Sequence, residues 1–105
     1  MTTLGVTGFV ALSAALFGIG LFGILTRRNF ILLLISIEIA MNAVILNFVY
    51  FAAFATGTHG LDGQSVAVVL IGFAATEVAV GLAIVLALNR LKGTINVAEA
   101  TDLKL

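Results

Sequence analysis

The sequence predicts an all-α membrane protein with three transmembrane helices, and three observations carry that prediction. The first is composition: 62% of the 105 residues are hydrophobic and 10% are charged, whereas roughly a quarter of a water-soluble domain is charged. With a mean hydropathy of +1.27, the chain has too little polar surface to cover a globule in water. The second is the arrangement of the apolar residues in three runs, each long enough to cross a bilayer. The third is that all five basic residues fall on one side once the three runs are folded back and forth. Zero cysteines and a single histidine, His59, exclude a disulfide framework, an iron-sulfur cluster, a cysteine-based zinc site and a bis-histidine haem held by this chain alone. No basic cluster exceeds two residues, so nothing points to nucleic acid.

The elements follow in order within a single membrane domain, residues 1–105. No charge occurs from Met1 to Thr26. Leu4 to Thr26, at about 1.5 Å per residue, covers a hydrocarbon core of roughly 30 Å and is the first span. It lacks the basic start and short apolar centre of a secretory signal, so it reads as retained rather than cleaved. Arg27, Arg28 and Asn29 make a connection so short that the next helix must run antiparallel. That helix, Phe30 to Ala55, carries one carboxylate, Glu38. Residues 56–64, with Gly57, Gly60 and Gly63 among polar neighbours, read as an exposed loop. A third span, Ser65 to Asn89, carries Glu77, and residues 90–105 form a tail expected on the surface or against a partner.

Arg27, Arg28, Arg90, Lys92 and Lys104 then share a side. The positive-inside rule makes that side cytoplasmic, with the N-terminus outside and the C-terminus cytoplasmic. Small residues suggest packing faces, since they let helix backbones approach closely in lipid. Gly8, Ala11 and Ala15 form such a stripe in the first helix, and Gly72, Thr76, Ala79 and Ala83 in the third. In the second, Ser36, Ala40, Ala43 and Asn47 lie roughly opposite Glu38, so this helix is expected to touch protein on two sides.

The two intramembrane acids are the candidate functional groups. Glu38 lies about 12 Å along its helix from the cytoplasmic end, and Glu77, on a helix running the other way, about 18 Å from the same end. Side-by-side packing of the two helices brings them to similar depth, within reach of bridging water. Charge at mid-bilayer is costly, and no Lys or Arg inside a span is available to neutralise either acid. A low-dielectric setting favours the neutral acid, and groups that take up and release a proton at small cost are what a proton relay needs. Asn42, one turn after Glu38, can hydrogen-bond it or hold a water. The simpler readings are that the acids are protonated hydrogen-bond donors gluing helices together, that Asn42 and Asn47 make structural bonds, that Arg27 and Arg28 only set topology, and that His59 is an ordinary loop residue.

Four segments in order, Arg27-Arg28-Asn29, Ile37-Glu38-Ile39-Ala40-Met41-Asn42-Ala43, Asp62-Gly63-Gln64 and Ala74-Ala75-Thr76-Glu77-Val78-Ala79-Val80-Gly81-Leu82-Ala83, resemble the subunit K family of the NADH:quinone oxidoreductases, respiratory complex I. The resemblance runs over about the whole chain, with Thr76 standing where a small residue is usual. It implies a membrane-arm subunit of a proton-translocating enzyme, in which Glu38 and Glu77 belong to a chain of ionisable groups and Arg27 and Arg28 support them. It further implies that this chain binds no cofactor, that NADH, flavin, iron-sulfur clusters and quinone are handled by other subunits, and that the partners are other membrane-arm subunits in a hetero-oligomer. The expected location is an energy-transducing membrane, a bacterial inner membrane above all. The alternatives are a small subunit of a multisubunit cation/proton antiporter, which lacks this pair of acids, and a purely structural membrane subunit. Small multidrug exporters resemble four helices with an acid in the first, and here the first span has none.

Overall fold

The computed structural model describes residues 3–54, 59–93 and 95–100. Among them are three long helices, α1 (Thr3–Thr26), α2 (Phe30–Phe54) and α3 (His59–Lys92), and one further turn, α4 (Val97–Ala100). Each long helix contains a segment long and apolar enough to span a membrane. Helix α2 stands in the middle of the row, packed against α1 on one side and α3 on the other. The result is a slab of 55 × 24 × 16 Å.

The helix ends have local causes. The carbonyl oxygen of the Asn29 side chain accepts from the backbone N–H of Ile31 (2.9 Å) and Leu32 (3.4 Å), an N-cap that starts α2 immediately after the two arginines. Asp62 lies in the first turn of α3 and Arg90 and Lys92 in its last, the placement that the helix dipole favours at either end. Gly93 terminates α3: its φ of 67° is a left-handed conformation that glycine adopts without a Cβ penalty, and its N–H donates to the Asn89 carbonyl at 2.9 Å.

The α1–α2 seam is antiparallel and read residue by residue. The Phe9 and Tyr50 rings stack with centroids 4.0 Å apart. The Ser13 hydroxyl, in a side chain only 3% exposed, has the Asn47 side-chain oxygen at 2.8 Å and the Val10 carbonyl at 3.0 Å as acceptors. Further along, Gly20 lies against Ser36 and Ala40 so closely that a Cβ on it would sit 2.7 Å from the Ala40 nitrogen and the Ser36 oxygen, both backbone. Gly23 lies against the Ser36 side chain, whose buried hydroxyl donates to the Leu32 carbonyl at 2.7 Å. The two-sided α2 expected from Ser36, Ala40, Ala43 and Asn47 is therefore present.

Within this chain the small-residue stripes of α1 and α3 are open. In α1 Gly8, Ala11 and Ala15 are exposed, with nothing within 4 Å of a Cβ at Gly8; the contacts with α2 are made by Phe9, Ser13, Gly20 and Gly23. In α3 Gly72, Thr76, Ala79 and Ala83 are exposed too, and the face on α2 is formed by Gly60, Ala67, Ala74 and Val85. One expectation is corrected: residues 60–64 are helical rather than loop, and His59 opens α3. Gly63 is there for proximity: a Cβ on it would sit 2.7 Å from the Ala52 Cβ. Residues 55–58, expected to contain the end of the second span and part of that loop, lie outside the described residues, as does Lys104.

At 34 residues, α3 is about 51 Å long. That exceeds the roughly 30 Å of a hydrocarbon core, so α3 crosses tilted or with its ends beyond the core. The described part of the segment after α3 has a place within its own chain. It folds back on the α1–α2 connection of its own chain, where Asn29 and Asn96 form an antiparallel bridge.

Candidate functional site: two acids beside the α2–α3 seam

Antiparallel packing of α2 and α3 fixes the levels of the two acids. At one end of the seam Gly63 meets Ala52; at the other, Gly81 meets the Leu34 side chain. Counting four residues back along α3 from Gly81 reaches Glu77, and four residues on along α2 from Leu34 reaches Glu38. The two carboxylates therefore share a level, as the helix-rise argument predicted.

They do not share an environment. Glu38 is half-buried, whereas Glu77 is exposed. Glu38 lines a cleft of about 310 Å³ together with Ile31, Leu34, Ile35 and Ile39 of α2 and Val78 and Leu82 of α3; it is the one polar side chain there. Glu77 is not part of that lining. It precedes Val78 by one residue, so its side chain leaves the α3 axis about 100° away, on the other flank of the seam marked by Ala74, Gly81 and Val85. The acids are thus level with one another on opposite flanks of one helix pair.

The other candidate residues occupy separate places. Asn42 is exposed, one turn beyond Glu38 and outside the cleft lining, and among the described residues no hydrogen bond joins the two. Asn47, which faces α1, makes the interhelical bond instead. The Thr76 hydroxyl, beside Glu77 in sequence, donates to the Gly72 carbonyl one turn back at 2.9 Å and is committed to its own helix. Arg27 and Arg28 are exposed at the α1–α2 connection, on the end of the slab where the segment after α3 returns. Among the described residues no three His, Cys, Asp or Glu side chains gather in one place. What sequence reasoning missed is the role of Gly81 and Leu34 as register markers; the only trace of it was glycine at i+4 from Glu77.

Three apolar helices thus carry level carboxylates on α2 and α3. The family model for NADH-ubiquinone/plastoquinone oxidoreductase chain 4L matches residues 8–105. The chain belongs to the chain 4L family. A relative from Desulfitobacterium hafniense, NADH-quinone oxidoreductase subunit K, is 43% identical over 106 residues, covering 97% of this chain and 96% of the relative. A subunit K from Thermomicrobium roseum is 43% identical over 104 residues, 99% of each chain. One from Anaeromyxobacter sp. (strain K) is 47% identical over 91 residues, 87% of this chain and 89% of the relative. The chain 4L resemblance seen in the sequence motifs therefore extends over nearly all of the molecule, and the chain is a subunit of a multi-pass membrane enzyme, NADH-quinone oxidoreductase.

Proposed function

We propose that this subunit carries protons within the membrane arm of NADH-quinone oxidoreductase, with Glu38 and Glu77 as the proton-carrying groups. One observation supports the reading above all: the two acids in the interior of the spans stand at one level across the α2–α3 seam. In lipid, ionisable groups are costly and are kept where they move charge or protons. Glu38, at the wall of an apolar cleft, exchanges a proton with a group inserted from a neighbouring subunit or with water admitted there; Glu77 does the same on the opposite flank. The pair then joins proton donors and acceptors on either side of this subunit.

Arg27 and Arg28 support this from the cytoplasmic end, with the N-terminus outside and the C-terminus cytoplasmic. Redox chemistry belongs to other subunits, which handle NADH, flavin, iron-sulfur clusters and quinone. The partners are the other membrane-arm subunits, in the inner membrane of a bacterium, as the bacterial relatives suggest.

The test is isolation of the particle that contains this chain. Flavin and iron-sulfur subunits are expected in it, and Glu38→Gln and Glu77→Gln are expected to lower NADH:quinone reductase activity while the particle stays whole. Cation/proton exchange that persists without NADH, in a particle lacking those subunits, points instead to an antiporter subunit. Unchanged activity in both variants leaves the acids with a purely structural role.

A further inference from the structure

The bilayer leaves α3 some freedom of height against α2. Between its polar ends, with Asp62, Gln64 and Ser65 at the start and Asn89, Arg90 and Lys92 at the finish, the apolar stretch of α3 is about 35 Å long, somewhat more than a core of roughly 30 Å. Much of the α2–α3 seam offers little to lock against sliding: on α3 Gly60, Gly63, Ala67, Ala74 and Gly81 present few protrusions, with Val78, Leu82 and Val85 as the larger side chains towards the Leu34 end. A slip of one helical turn, about 5.4 Å, moves Glu77 out of level with Glu38.

A link at the end of the helix pair opposes that slip. The Phe30 N–H donates to the Ile95 carbonyl at 2.9 Å, and the Val97 N–H donates to the Arg28 carbonyl at 2.6 Å. These two bonds flank the Asn29–Asn96 bridge in the pattern of a short antiparallel ladder. Each asparagine also caps the helix that follows it: Asn29 as described, and Asn96 by accepting from the Ala98 N–H at 2.9 Å. On one side the ladder is continuous with the start of α2. On the other, α3 ends at Lys92, only three residues before Asn96 is reached. With so few residues between them, a slip of α3 is transmitted to the ladder.

We propose that the Ile95–Val97 segment is a clasp that holds α3 in register on α2, with Asn29, Asn96 and the Val97 N–H as its positioning groups. Its consequence for proton transfer rests on the reading of Glu38 and Glu77 above; its geometry does not. Val97 offers a clean way to open the clasp. As the first residue of α4, it is the helix position where proline is tolerated, and the extended Asn96 before it suits a residue preceding proline. Val97→Pro therefore removes the N–H given to Arg28 and spares the helix; Val97→Ala trims the side chain and keeps the N–H.

The experiment uses the whole complex and the natural absence of cysteine from this chain. Thiol cross-linking is measured for an in-register pair, Leu34→Cys with Gly81→Cys, and a pair one turn out, Leu34→Cys with Val85→Cys. Val97→Pro is expected to lower the in-register yield about fivefold, the factor that one hydrogen bond of ordinary net strength carries, and to raise the out-of-register yield; Val97→Ala changes neither. Should the proline variant not assemble, Asn96→Ala is expected to shift the two yields in the same sense and Asn96→Asp, which keeps an acceptor for Ala98, to restore them. Cross-linking yields in Val97→Pro and Asn96→Ala equal to those of the unaltered chain overturn the clasp. The ratio of protons moved to NADH oxidised is read on the same samples. It is expected to fall with the loss of register. A shifted register with an unchanged ratio upholds the clasp and contradicts the relay.

Discussion

The two faces of α2 are built from different materials for different ends. Towards α1 it presents Ser36, Ala40, Ala43, Asn47 and Tyr50, which meet Gly23, Gly20, Ser13 and Phe9 in close contact, with the Ser13 and Ser36 hydroxyls bonded. Towards α3 it presents Leu34, Glu38 and Ala52, and the contact opens into a cleft at the one charged residue. In lipid no hydrophobic force drives helices together, so a permanent interface must rely on backbone approach and satisfied polar groups. The first face does so. The second leaves room at Glu38, and room beside an ionisable group is what exchange of a proton with another group requires.

Substitutions can break or sharpen that contrast. The largest effect is expected for Gly20→Ala on the α1 face. The added methyl meets backbone atoms of Ala40 and Ser36 that cannot rotate away, so the cost falls near the upper end of overpacking penalties, about 3 kcal/mol. The helical hairpin is expected to separate, read as a sharp fall in the amount of this chain retained in the assembled enzyme. Asn47→Ala comes next, at about 0.6 kcal/mol, because the Ser13 hydroxyl keeps the Val10 carbonyl as acceptor and no buried group is orphaned. A small drop in the thermal stability of the complex with normal turnover checks it. The smallest effect is expected for Gly81→Ala on the α3 face, about 0.5 kcal/mol, because the new methyl meets only the Leu34 side chain, which can change rotamer beside the cleft. A large assembly defect in Gly81→Ala, or none in Gly20→Ala, breaks the distinction between the faces.

Much of this was legible in the sequence, and the failures share a cause. Spans, hairpin and the level of the acids follow from length and helix rise alone, which is why Glu38 and Glu77 fell into place. The polar side of α2 was legible because Ser36 and Asn47 are rare enough in lipid to mark a contact. In α1 the apolar residues surround the helix almost evenly, so nothing distinguishes the outward stripe of Gly8, Ala11 and Ala15 from the α2-facing one of Ser13, Gly20 and Gly23. Gly60 and Gly63 read as loop residues because glycine breaks helices in water; against Ala52 it permits contact instead. The clasp left no trace because main-chain hydrogen bonds carry no side-chain signature. Which flank of the seam each acid takes depends on where the face of α3 lies between Ala74 and Val85, a packing property that the spacing of Glu38 and Glu77 does not contain.

The proposed division of labour in α2 gives proton transfer to the α3-facing side and none to the α1-facing side. Its most direct test is NADH-driven acidification of inverted membrane vesicles bearing Glu38→Gln, compared with Asn47→Ala one face away. With equal amounts of assembled enzyme and equal NADH oxidation by an artificial electron acceptor, Glu38→Gln is expected to lose the pH gradient by at least about tenfold, in line with removal of a proton-transfer group, while Asn47→Ala keeps it. A full gradient in Glu38→Gln, or an equal loss in both variants, contradicts the account.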